Sequence, residues 1–261
     1  YWETFADLEA QGLLAAHHGF AQQWLCALDG VQYFSSNASH CDHCPRRHKG
    51  DKTLYTHSVI APVLVAPGHD YLISLEPEFI TPQDGADKQD SEQAAMRRWI
   101  EQHAHRFAPD SLTVLTDDLH SHQPACVWLR AYHYTFITDH RLTDQSVAPI
   151  VASGRTRWKT ENENHNTLKN HGYHLGHNFG HNFGHGQQHL ASLLLSLNLL
   201  AFLLYTTLTL TDAAYQQIRH TLGARRTFFD DIRTLTRYIH FESWTALLAF
   251  MFHGLELDRS S

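Results

Sequence analysis

Residues 190–210 read LASLLLSLNLLAFLLYTTLTL, a run without a single charged side chain. Such a run must be hidden from water, by lipid or by the rest of the chain, and its length is about the ~20 residues a bilayer requires. Ser192, Ser196 and Asn198 interrupt it, and no Lys or Arg lies close on either side. The expectation is therefore the core helix of a globular protein, with no membrane partner. A chain of 261 residues with 43% apolar side chains is large enough to build one substantial core around it.

Upstream of this run the hydrophobic period changes along the chain. WLCALDGVQYFSS (24–36), TLYTHSVIAPVLVAP (53–67) and YLISLEPEFI (71–80) read as three strands separated by turn signals. In DSEQAAMRRWIEQHAHRF (90–107), Met96, Trp99, Ile100, His103 and Phe107 then repeat at helical spacing. SLTVLTDDL (111–119) is a short strand ending in two aspartates, SHQPACVWLRAY (121–132) a helix, and YTFIT (134–138) a fifth strand. From Val147 onward only helix is expected, apart from a Gly/His-rich interruption at 171–186. This order predicts an α/β fold with one mixed five-stranded sheet flanked by helices. The expected organisation is a helical lead-in over 1–20, a catalytic domain over 21–210 and a helical segment over 211–261.

The formal charge of −7 argues against a protein that coats nucleic acid through its overall field. Any phosphate contact falls to local patches: Arg46, Arg47, His48 and Lys49; Arg97 and Arg98; or Arg155, Arg157, Lys159 and Lys169. Each could equally be a solvated face. Four cysteines, Cys26, Cys41, Cys44 and Cys126, are too few for a disulfide framework and suit a reducing cytoplasm. The chain begins at Tyr1 without a signal-peptide pattern and reads as a piece whose first residues are the remnant of a longer N-terminal region.

RWKTENENHNTLK (157–169) holds two glutamates two places apart. Taken as one helix over 147–169 at about 100° per residue, Val147, Ile150, Val151, Trp158 and Leu168 share an apolar face. Glu161 falls within that face and Glu163 opposite it. An inward carboxylate needs a partner, which is either Arg157 as an i, i+4 ion pair or a metal ion. Asp29 and the Asp117–Asp118 pair stand at strand ends, where aspartate suggests an opening toward something cationic. Three hard oxygen donors converging there suit two divalent ions arranged for phosphoryl transfer.

LDGVQYFSS, SLEPEFI, DKQDSE, VLTDDLHSHQP, RTRWKTENENHNTLKNHGY and HNFGHG resemble, in order, the motifs of DDE insertion-sequence transposases with an RNase H-like catalytic domain. The resemblance covers about residues 22–210. It implies metal-dependent cleavage and strand transfer of DNA, with Asp29, Asp117 and Glu161 as the catalytic acids and ligands of two Mg2+ ions, for which Mn2+ substitutes. It implies that Arg157 and Lys169 contact DNA phosphates or position the glutamate, that the partner is double-stranded DNA bound by a homodimer, and that the setting is a bacterial cytoplasm with its nucleoid. Some positions depart from the family pattern. The interval of 44 positions from Asp117 to Glu161 leaves no room for a β-rich insertion, His120 replaces an aromatic residue, and Gly154 stands where a tyrosine is usual. A nuclease of the same fold without transposition, and an inactive DNA- or zinc-binding remnant, are the alternatives.

Two histidine-rich stretches lie outside these motifs. HCDHCPRRHKG (40–50) offers Cys41 and Cys44 for zinc, half of a tetrahedral site, with His40, His43, His48 and His57 as further candidates; the alternative is a reduced loop without metal. HNFGHNFGHG (177–186) is a tandem duplication, and His177, His181, His185 and His189 recur every four residues. Its glycines make a poor helix, so it is read either as a metal site or as a duplicated capping loop.

Overall fold

Trp24–Ala27 is apolar and buried at every position, as a strand covered on both faces must be. The computed structural model describes residues 1–85, 88–116, 143–175 and 190–257. In chain order, α1 (Trp2–Ala10) precedes β1 (Trp24–Ala27), β2 (Gly30–Ser36), β3 (Arg46–Lys49), β4 (Lys52–Ile60), β5 (Val63–Val65), β6 (Ile73–Ser74) and β7 (Glu78–Phe79). α2 (Lys88–His103) and β8 (Leu112–Leu115) follow, then α3 (Val147–Arg155), a π-helical turn (Thr160–His165) and α4 (Asn166–Asn170). α5 (Leu190–Thr211), α6 (Ala213–Leu222), α7 (Arg225–Tyr238) and α8 (Trp244–Gly254) complete the described chain.

The first sheet has the order β6-β5-β1-β8, antiparallel except for the parallel β1–β8 pair; the second has the order β2-β4-β3, with β7 also against β4. The molecule is thus mixed α/β, with two sheets where sequence predicts one. The reason is that two long strand-like runs break at matching points. The first breaks at Leu28–Asp29 and the second at Ala61–Pro62, where proline has no N–H to give to a ladder. The Ala61 amide donates to the Asp29 carbonyl at 3.1 Å, so the ladders meet at the break. Four strands of the first sheet are described; the helix expected at 121–132 and the strand expected at 134–138 lie outside the described residues.

Side chains alternate across β1. Trp24, Cys26 and Leu28 join Phe5 and Leu8 of α1 and Met96, Trp99 and Ile100 of α2 in one core. Leu25 and Ala27 face the opposite side and pack with Leu168, Tyr173 and the α5 residues Leu195, Leu199 and Phe202. The predicted α2 stripe is buried throughout. A third cluster, Tyr215, Ile218, Phe228, Leu247, Leu248 and Met251, holds α6, α7 and α8 together.

The apolar run forms the 22-residue helix α5, which by length and composition could cross a membrane. Leu195, Leu199, Phe202 and Leu203 are buried within the protein, while Leu193, Leu197 and Leu204 are exposed. The expectation of a core helix therefore holds for one face of it.

Residues 147–170 correct the single-helix reading. Thr156 and Arg157 form a turn after α3, and the π turn changes the angular step, so phase is not carried from Val147 to Glu163. The buried stripe is Ser153, Thr156, Thr160, Asn164 and Leu168, and Trp158, assigned to the apolar face, is 64% exposed.

Candidate functional site

Asp29 sits just past the carboxyl end of β1, where the Leu28 amide still donates to the Leu115 carbonyl at 3.0 Å in the parallel pairing. Gly30 follows, and a side chain there would meet Glu92 of α2: a Cβ would lie 2.3 Å from Glu92 Oε1. The absence of a side chain at Gly30 leaves room for the Glu92 carboxyl group against the strand. Asp29 Oδ2 lies 3.6 Å from His165 Nδ1 at the end of the π turn, a through-space contact too long for a hydrogen bond. Burial holds the His165 imidazole down to about 4, so it is neutral at pH 7.

The glutamates are oriented opposite to the sequence expectation. Glu161 does not point at the core; its side chain is 54% exposed and pairs with Arg157 at 3.1 Å. Glu163, expected in water, is 37% exposed and lies 4.0 Å from Lys159 Nζ. Burial raises the Glu163 carboxyl above its ordinary range, opposed by Lys159. Val147 and Val151, ahead of the turn at Thr156–Arg157, are already exposed, so the segment turns its small polar stripe to the core and the face expected to be inward lies outside. Glu161 still lies about one turn from His165 along the same helical segment, which is the one packed against Asp29.

Asp117 and Asp118 lie outside the described residues, as do Cys126 and the four regularly spaced histidines His177, His181, His185 and His189. Sequence reasoning missed His165 and Asn164. Asn164 is fully buried, and its side-chain amide has no hydrogen-bond partner among the described residues; the same holds for Thr160 Oγ1 and His165 Nε2. A row of small polar residues at helical spacing, Ser153, Thr156, Thr160 and Asn164, is the signal. A π turn is itself often found where a helix serves a site.

The basic patches divide. Arg98 is occupied within the fold: it donates to Glu78 at 2.8 Å, to the Phe79 carbonyl at 2.9 Å and to Asp84. Lys159 donates to the His69 carbonyl. Arg46, Arg47 and His48 are exposed on β3, and Lys169 is exposed on α4.

Cys41, Cys44 and His57 converge at the start of β3. Their ligating atoms all lie within 4.8 Å of one another, a geometry that could hold a metal ion. His57 comes from β4, so the sequence pair gains its third member only through the β-ladder. Cys26, by contrast, is buried in the core, where desolvation raises its thiol far above the ordinary range. Compared with family models, curated proteins and solved structures, the chain matches none.

Proposed function

We propose that the chain carries the RNase H-like catalytic domain of a DDE transposase, which cuts and rejoins DNA phosphodiester bonds. A count along two parallel strands carries the reading. Ala27 of β1 lies opposite Leu115 of β8; Asp29 comes two residues after the one, and Asp117 two residues after the other. Ligands of open α/β sheets gather beyond the carboxyl ends of such strands. The third acid, Glu161, belongs to the helical segment whose His165 lies against Asp29. The mixed sheet with apolar helix faces on both sides supports the same fold class.

Asp29, Asp117 and Glu161 are oxygen donors suited to hard divalent cations. They would hold two Mg2+ ions, or Mn2+ in their place, which would supply Lewis acidity for phosphoryl transfer. The chain's own groups do the positioning. His165, held neutral by burial, lies beside Asp29, and Arg157 fixes Glu161 from one turn away. Lys169, exposed further along, contacts the phosphates of double-stranded DNA without reading its sequence. A homodimer on DNA, in a bacterial cytoplasm with its nucleoid, completes the proposal.

Nicking of supercoiled plasmid in Mg2+ tests it. Glu161→Gln is expected to lower the rate by at least ~100-fold, as loss of a group that stabilises the transition state does. Glu163→Gln is expected to change it by less than about threefold. Loss of nicking in Glu163→Gln but not in Glu161→Gln would reverse the assignment, and DNA retention with no nicking by the wild type would favour an inactive binding remnant. The short interval between Asp117 and Glu161 keeps a plain nuclease as the second reading. Strand transfer of a pre-cut end separates the two.

A further inference from the structure

We propose that Cys41, Cys44 and His57 bind one Zn2+ ion that fastens the turn before β3 onto β4. Zinc bonds of about 2.3 Å to sulfur and about 2.05 Å to nitrogen, set at tetrahedral angles, place two sulfurs about 3.8 Å apart and sulfur and nitrogen about 3.6 Å apart. Cys41 Sγ and Cys44 Sγ are 4.0 Å apart, and His57 Nε2 is 3.5 Å from the first and 3.4 Å from the second. All three separations thus agree with the tetrahedral values to about 0.2 Å, the tolerance expected of a metal site. Neither cysteine is in a disulfide.

The surroundings are built to hold such a centre. The Cys44 amide donates to the Cys41 carbonyl at 3.2 Å, closing the turn, and the Cys41 amide approaches Cys44 Sγ at 3.5 Å, where it would stabilise a thiolate. The His57 ring stacks on Tyr33, with centroids 5.7 Å apart and planes at 12°, which fixes the direction of its nitrogen. Two sulfurs and an imidazole favour a borderline-soft cation such as zinc over Mg2+. The ligands come from different strands. The Thr56 amide donates to the Pro45 carbonyl at 3.1 Å, and Arg46 pairs with Tyr55, so the ion would tie the first rungs of the β3–β4 ladder together. None of the three ligands is among the proposed catalytic acids, and the site's presence does not depend on the transposase reading.

The test is metal content after purification with a reductant and ZnSO4, followed by exhaustive dialysis. One zinc per chain is expected for the wild type, and a loss of at least ~80% of it in Cys44→Ser and in His57→Ala. Cobalt substitution of the unmutated chain gives a second reading that does not depend on variant folding: intense visible bands of tetrahedral Co2+ and sulfur-to-cobalt charge transfer in the near ultraviolet. Zinc removal is expected to lower Tm by on the order of 5–10 °C. The proposal is overturned by a wild type that retains no stoichiometric zinc, by zinc retained undiminished in folded Cys44→Ser, or by a cobalt spectrum without sulfur charge transfer.

Discussion

His17 shows what a single buried base does to this molecule. It is fully buried, its Nε2 lies 3.3 Å from the Leu64 carbonyl and its ring stacks on Tyr71; burial lowers its pKa to about 4. The unfolded chain, titrating near ~6.5, therefore binds more protons than the folded one between these values. Stability contributed by this neutral histidine is complete above pH ~6.5 and is lost as pH falls toward 4, about 2 kcal/mol by pH 5. Urea unfolding at pH 7 and pH 5 is expected to show this loss together with a similar one from His165, and His17→Phe to remove the His17 share alone; parallel profiles for the two proteins would refute the assignment. At this scale the sequence was only partly legible. Asp29 and the Arg157–Glu161 pair could be named from spacing alone, because strand ends and i, i+4 contacts are local. The approach of His165 to Asp29 and of His57 to the two cysteines depends on elements far apart in the chain, and no local period encodes it.

Among the elements, residues 147–170 show why periodicity misleads when polar groups are buried. Phase counted from Val147 puts Trp158 inside, yet the segment buries Ser153, Thr156, Thr160 and Asn164 and leaves Val147, Val151 and Trp158 exposed. The Ser153 hydroxyl accepts the Phe20 amide at 2.9 Å, so part of that polar face has a structural use. Substitution separates the two phases directly. Trp158→Ala is expected to cost less than about 0.5 kcal/mol, as exposed positions do. Leu168→Ala, at a fully buried site in the second core, should cost about 2–5 kcal/mol. Denaturant midpoints that rank the two in the opposite order would restore the single-helix phase. In α2, by contrast, the predicted stripe is buried as expected, because Met96, Trp99 and Ile100 at its centre are apolar.

Across the whole molecule, the α/β class was readable because the order of strand and helix periods survives local errors. The division into two ladders was not, since it turns on Pro62 and on one hydrogen bond from Ala61 to Asp29. α5 joins what these breaks divide: Leu203 belongs to the first core, Leu195, Leu199 and Phe202 to the second, and Tyr205 and Leu208 pack against the third. Calorimetry is expected to show one unfolding transition, and Ala201→Pro, which breaks the helix at its middle, to split it in two; a wild type that already melts in two steps would show the clusters to be independent. At ~1.5 Å per residue, its 22 residues make a rod about 33 Å long. One unbroken strut therefore spans from the layer beneath Leu25 and Ala27 to the C-terminal helices, so trimming those helices would strip cover from the same element that closes the core under β1.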